Sequence, residues 1–296
     1  MKSCLVLLST YNGEKYLEEL VESVLKQEDV NVDILVRDDG STDSTIKILK
    51  KYENSHMKVY SGPNLKSAKS FLDLIESAPL TYDYYALCDQ DDVWKTDKLK
   101  AAILMLETTS RPALYSGAVY ITDQNLENQR LSIHPNTFVD PLFGILMYGT
   151  PGCTFVFNKK LLVYLKEYIP SVCNMHDNWI SFVCLAVNGQ FFYDKNAYIY
   201  YRQHDNNVIG AKKHSLIEII KEIILYNGVR RSDMTKEILN GYRKEMSPEV
   251  EEAFFTFAQY PCSLKLKMRL LFLPYHNEVR KRAFYKAKLQ VLFNSI

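Results

Sequence analysis

The sequence predicts an α/β protein, with a mainly parallel central sheet carrying helices on both faces and a mostly helical C-terminal extension. Three observations predict this. Over the first 120 residues short apolar runs alternate with segments of helical periodicity. Polar clusters close three of those runs, as expected where strands end in a sheet that binds ligands beyond its carboxyl edge. After about residue 211 the β signal gives way to helical spacing.

The elements follow in order. Cys4 to Leu8 is a continuous apolar run, and Leu17, Leu20, Val21, Val24 and Leu25 then form the stripe of a helix covering a sheet. Val32 to Val36 is a second strand, Ile46 and Leu49 mark a second helix, and Lys58 to Tyr60 is a third strand. Phe71, Leu72, Leu74 and Ile75 define a third helix, Tyr84 to Cys88 a fourth strand, and Leu99, Ala102, Ile103 and Leu106 a fourth helix. Repeated βα units of this size give parallel pairing. A strand at Ala113 to Ile121 is followed by an excursion from Thr122 to Thr150, rich in Pro and Gly, of the kind that shapes an acceptor side. Regular elements resume at Thr154 to Phe157, Leu161 to Leu165, Asp177 to Val187, Phe191 to Tyr193 and Ala197 to Tyr201. A boundary near residue 210 divides the chain into 1–210 and 211–296.

Composition narrows the class. The 296 residues are 47% apolar and 24% charged, with a formal net charge of +1, which excludes disorder and gives no reason to expect a nucleic-acid partner. Six scattered cysteines without a CxxC pair read as buried thiols in a reducing cytosol. The N-terminus lacks a signal h-region and no run of 18 apolar residues occurs, so a soluble, cytoplasmic chain is expected. The 21 tyrosines are either core and rim residues or rings that stack on sugars or bases.

The chemistry-bearing residues sit at strand ends: Ser9 to Glu14, Asp38 to Asp43, and Asp89-Gln90-Asp91-Asp92. Asn12-Gly13 also fits a plain turn, and Ser41 to Ser44 a helix cap. Capping explains neither the adjacent Asp38 and Asp39 nor three acids within four residues. Clustered carboxylates repel one another, so such a group usually sits on a divalent cation, here Mg²⁺ or Mn²⁺ bridging phosphates.

Three strings, Ser9-Thr10-Tyr11-Asn12-Gly13-Glu14-Lys15-Tyr16-Leu17, Asp38-Asp39-Gly40-Ser41-Thr42-Asp43 and Asp89-Gln90-Asp91-Asp92-Val93-Trp94, resemble the inverting glycosyltransferases of GT-A (nucleotide-diphospho-sugar transferase) fold, and within them the bacterial rhamnosyltransferase-like branch. His176-Asp177-Asn178-Trp179 and Tyr201 to Asn207 extend the resemblance to about residue 210. The resemblance implies a dTDP-rhamnose or UDP-sugar donor bordered by Thr10, Tyr11, Asn12, Glu14 and Gln90, with Asp39 accepting from the imide N–H of the base. It implies a metal on Asp91, Asp89 and His204, with Asp89 also near the ribose. It makes Asp177 the general base, with His176 standing where the family has an acid. Gly152 would let a glycan or lipid-linked acceptor approach, beside Asp92. Lys69 either meets a phosphate or is solvated, and Trp94 and Trp179 either stack on a sugar or are core. His134 is a candidate near the acceptor.

Other readings stay open. Asp89 to Val93 also fits the DxDxV string of haloacid-dehalogenase-type phosphatases, although there the motif follows the first strand. A sugar-1-phosphate nucleotidyltransferase would need a glycine-rich basic loop that Ser9 to Glu14 lacks. A non-catalytic sugar-binding or scaffold protein would be expected to have lost Asp91 or Asp177. The +1 itself is a cancellation: residues 1–210 carry 20 Lys+Arg and 26 Asp+Glu, residues 211–296 carry 16 and 9. Within that basic region Leu264 to Leu273 mixes cations with large apolar residues. It either lies in an anionic membrane interface, as a peripheral contact, or packs one side on its own domain.

Overall fold

The computed structural model describes residues 1–133, 140–147, 149–204, 216–276, 279 and 281–296. The first half of its sheet region is built from β1 (Lys2–Thr10), α1 (Leu17–Leu25), β2 (Val30–Asp38), α2 (Thr45–Tyr52), β3 (Met57–Ser61), α3 (Lys66–Ser77) and β4 (Tyr84–Cys88). β3, β2, β1 and β4 are parallel neighbours in that order. Their carboxyl ends therefore share one rim, which brings the three polar clusters together.

The second half adds β5 (Val93–Trp94), α4 (Lys98–Leu106), β6 (Ala113–Thr122), β7 (Arg130–Ser132), α5 (Pro141–Met147), β8 (Val156–Asn158), α6 (Lys159–Glu167), α7 (His176–Ala186) and β9 (Gln190–Arg202). β8 runs antiparallel between β4 and β6, β6 and β9 are parallel, and β5 pairs antiparallel with β9. The α/β class is the one predicted. Two details differ. The two short strands expected after residue 190 are one thirteen-residue strand, whose register against β6 shifts between Gly117 and Ala118. The exposed Lys195-Asn196 sits at that irregularity and interrupts the alternation. The excursion from Thr122 to Thr150 contains β7 and α5, whose few residues give too little periodicity to detect.

Alternation along the strands sorts the core onto two faces. Cys4, Val6 and Leu8 of β1 pack with α1, α2 and α4, whereas Leu5 and Leu7 pack with α3, α6 and α7. The C-terminal helices α8 (Leu216–Ile224), α9 (Arg231–Tyr242), α10 (Pro248–Gln259), α11 (Leu264–Leu271) and α12 (Lys281–Leu292) follow. Met234, Tyr242, Phe254 and Phe257 from this region join Trp179 and Phe182 of α7 and Leu142 of α5 in one buried cluster. Ser247 caps α10 ahead of Pro248, and Ser263 caps α11. Four of the six cysteines are buried, but Cys262 is exposed because it lies in the short turn before α11.

Candidate active site

The acidic loop after β4 is held from several directions. Gln90 binds the chain after β1 twice, accepting from Tyr11 N at 2.8 Å and donating to Tyr11 O at 3.0 Å. Gly13 leaves room for it, since a Cβ there would come 2.4 Å from Gln90 Oε1 and displace that side chain. Arg202, buried at the end of β9, donates from Nε to Asp91 O (2.9 Å) and from its amide to Asp92 Oδ1 (3.2 Å). Its remaining nitrogens reach Gln124 O and Glu19 Oε2, and its guanidinium lies over the Tyr16 ring. Nothing in the sequence beyond a basic residue closing a strand announces this role.

Asp91 faces His204, with Oδ2 and Nε2 2.8 Å apart. Cis ligands on an octahedral ion with bonds of about 2.1 Å stand about 3 Å apart, so this pair fits a shared Mg²⁺ or Mn²⁺. Behind it Asp89, Asp92 and Cys153 bring one ligand atom each within 4.8 Å of one another. Burial, then repulsion from Asp91, raises the Asp89 and Asp92 carboxyls above the usual range, with Asp177 adding to the effect at Asp89 and Asp89 to that at Asp92. These groups therefore share one acidic centre. The hard oxygen donors suit Mg²⁺ or Mn²⁺ better than the thiol does.

Asp177 lies in the first turn of α7, where its Oδ1 accepts from Asn178 N at 2.6 Å. Burial raises its carboxyl to about 6, against which Asn178 N and the Arg231 guanidinium pull downward. Gly152 packs against this turn: a Cβ on it would lie 2.7 Å from His176 Nε2 and 3.2 Å from Asp177 Cβ. The structure thus joins Gly152, Asp177 and the acidic loop. His176 itself is buried against Phe71, with ring centroids 4.1 Å apart, and burial lowers it to about 3, so it is neutral.

The donor-side residues of β1 and β2 mostly hold each other. Asp38 accepts from Thr10 Oγ1, Gly40 N and Ser41 N. Asn12, at positive φ, donates its N–H to Ser41 Oγ and accepts from Thr42 N, while Glu14 accepts from Ser44 N. Tyr11 is left with an exposed ring. Asp39 pairs with the buried Arg37 and accepts from Leu65 N, so the imide of a base would join those donors rather than meet a free carboxylate. Lys69 is exposed on α3.

Three expectations for the acceptor side are corrected. Trp179 is 0% exposed, between the rings of Tyr168 and Tyr242, and has no face to offer a sugar. Trp94 is buried beneath Lys98, whose Nζ lies 3.3 Å from the ring centroid. Asp92 is fully buried and tied to Arg202, so it supports the acidic loop instead of meeting an acceptor. Lys98 is a further residue that the sequence reading missed, although its spacing before Ala102 and Leu106 puts it on the buried stripe of α4. Burial lowers its ammonium to about 8, opposed by Cys88, Cys153, Cys4 and Asp92. His134 lies outside the described residues.

Comparison with known proteins gives a consistent picture. Residues 5–165 match the family model described as "Glycosyl transferase family 2". The chain is 29% identical to the dTDP-rhamnosyl transferase RfbG of Shigella flexneri over 242 residues, covering 77% of this chain and 82% of RfbG. The structure of S. aureus TarS 1–349 in complex with UDP-GlcNAc superposes with a TM-score of 0.59 at 19% identity, covering 100% of this chain and 89% of that one. The mannosyltransferase PcManGT of Pyrobaculum calidifontis, in complex with GDP-Man and Mn²⁺, gives 0.54 at 13% identity, with coverage of 99% and 85%. These structural neighbours share the GT-A architecture.

Proposed function

The chain belongs to glycosyl transferase family 2, and from that premise we propose that it moves a sugar, rhamnose first among the candidates, from a dTDP- or UDP-linked donor to a hydroxyl of a bacterial surface polysaccharide or lipid-linked glycan. Transfer inverts the anomeric carbon. The observation that supports this reading most is that Asp89 interacts with both Asp91, which faces His204, and Asp177, which lies beside Gly152. The likeness to RfbG supports the rhamnosyl donor, and the nucleotide-sugar complexes of TarS and PcManGT support a nucleotide diphosphate leaving group.

In this mechanism Asp91 and His204, with Asp89, would hold Mg²⁺ or Mn²⁺, which would supply positive charge to offset that developing on the departing diphosphate. Tyr11 and the loop held by Asn12, Glu14 and Asp38 border the nucleoside, with Asp39 beneath the base and Lys69 beside the phosphates. Asp177 takes the proton of the acceptor hydroxyl on the face of the sugar opposite the leaving group, a task for which a carboxyl raised toward 6 is a better base than an ordinary one. Gly152 leaves the acceptor room to approach. Residues 1–210 carry the donor chemistry, and residues 211–296 cover the acceptor side at the cytoplasmic face of the membrane.

The test is a panel of nucleotide sugars incubated with Mn²⁺ or Mg²⁺, measuring nucleoside diphosphate release with and without acceptor glycans. Release from one donor, abolished by a chelator and restored by the metal, supports the proposal. Failure of every donor to bind or turn over sinks it.

A further inference from the structure

The basic excess of the C-terminal region lies entirely in its last 33 residues. Residues 211–263 hold eight Lys+Arg and eight Asp+Glu, whereas residues 264–296 hold eight against the single Glu278. Those residues include α11 and α12, which expose Leu264, Met268, Tyr285 and Leu292, with Phe272 and Phe293 just beyond their ends.

On α11 the apolar residues form two faces. Leu266 and the fully buried Leu270 pack toward the main core, as does Leu273 just beyond the helix. At about 100° per residue, Leu264, Met268 and Phe272 fall on the opposite face. They are 74%, 39% and 76% exposed. Lys265 and Arg269 border that stripe on one side and Lys267 on the other. Lys267 Nζ meets Leu292 O at 3.4 Å, which brings the exposed Leu292 and Phe293 at the end of α12 alongside. The sequence left open whether this segment lies in an anionic membrane interface or packs on its own domain; α11 packs one face on the core and leaves the other exposed.

An apolar stripe flanked by cations, in a segment of net charge +7 whose Arg269 and Lys286 pair with Glu252 and Glu222, is complementary to an anionic bilayer: the rings and Leu side chains enter the acyl boundary and the lysines reach the headgroup phosphates. We propose that the α11–α12 face is a docking surface for anionic phospholipid. It lies on the acceptor side of the molecule. α12 packs on α5 through Phe284 against Phe143, and α5 leads through residues 149–151 to Gly152 beside Asp177. The inference rests on the proposed transfer to a lipid-linked acceptor only for its purpose, since the surface stands on its own geometry.

The test is co-sedimentation of the full chain with vesicles of phosphatidylcholine alone or mixed with phosphatidylglycerol. Binding to the anionic vesicles that weakens as salt is raised is expected, with little binding to the neutral ones. Leu264→Ser combined with Phe272→Ser should weaken binding about tenfold or more. Lys265→Glu should weaken it about fivefold or more. All three are exposed substitutions, so the melting temperature should stay unchanged. No sedimentation with anionic vesicles at low salt, or variants that bind like wild type, overturns the proposal. So does a dimer in vesicle-free solution that the double substitution dissociates, which would assign the face to a second copy. Nucleoside diphosphate release from a soluble donor, measured on the same samples, reports on the catalytic reading separately.

Discussion

At the scale of single residues, Asp177 combines a structural cost with a chemical use. Its carboxyl is raised to about 6 by burial, so the folded chain holds that proton more tightly than the unfolded one. The stability cost is absent below the unfolded value of about 4 and is fully present above about 6. Asp177→Asn should therefore leave the protein at least as stable at neutral pH, while cutting transfer by about 10² to 10⁴ and sparing donor binding. Calorimetry and transfer assays on one preparation check both halves; wild-type transfer would remove Asp177 from the role of base. A second expectation is that kcat/KM for transfer falls about tenfold per pH unit below pH 6, measured with the metal saturating. Asp91→Ala should instead weaken metal-dependent donor binding, read by calorimetric titration with and without Mn²⁺. Asp91 was legible because capping does not explain three acids within four residues at a strand end, whereas Asp177 was read from the resemblance alone. Trp94 and Trp179 were not legible, because a tryptophan serves core and sugar stacking equally well, and only packing decides.

At the scale of elements, the site depends on how β9 and the turn before α7 are seated. Arg202→Met would leave Asp91 O and Gln124 O without their donor and remove the charge beside Glu19. A loss of about 1–3 kcal/mol of stability is expected, along with weaker metal-dependent donor binding, measured by denaturant melts and titration. Rescue of donor binding by added Mn²⁺ would fit a loop displaced rather than destroyed. Gly152→Ala should push on His176 and Asp177, lowering kcat more than donor affinity; unchanged kcat would show that the turn yields freely. The parallel strands β1 to β4 were readable from apolar runs of ordinary length. β5, with only two residues, was hidden, and β9, interrupted by exposed Lys195 and Asn196, was read as two short strands because its pattern breaks there.

At the scale of the molecule, the change in composition near residue 210 coincides with a change from sheet to helices but not with a break in the core. Trp179, Phe182 and Leu142 share one buried cluster with Met234, Tyr242 and Phe254, and Tyr260 OH reaches Ile296 O at 3.1 Å. A fragment ending at residue 210 should therefore aggregate or bind hydrophobic dyes, while the full chain melts in one calorimetric transition. Two separated transitions would show that the N-terminal part stands alone. Charge tallies disclosed the basic region, whereas side-chain packing was needed to show that it is shared structure. The grip of Arg202 on the acidic loop has one more consequence, for the order of assembly. Arg202 is 111 residues from Asp91 in sequence and 183 from Glu19, and His204 is 113 from Asp91. Contacts so distant along the chain close late and slowly. A chain emerging from the ribosome can complete the sheet order β3-β2-β1-β4 well before β9 exists, so it passes through a stage in which the nucleotide-side strands are formed while the metal-side loop still lacks its anchor. Capacity for metal-dependent donor binding should consequently appear during refolding only after the parallel strands have formed.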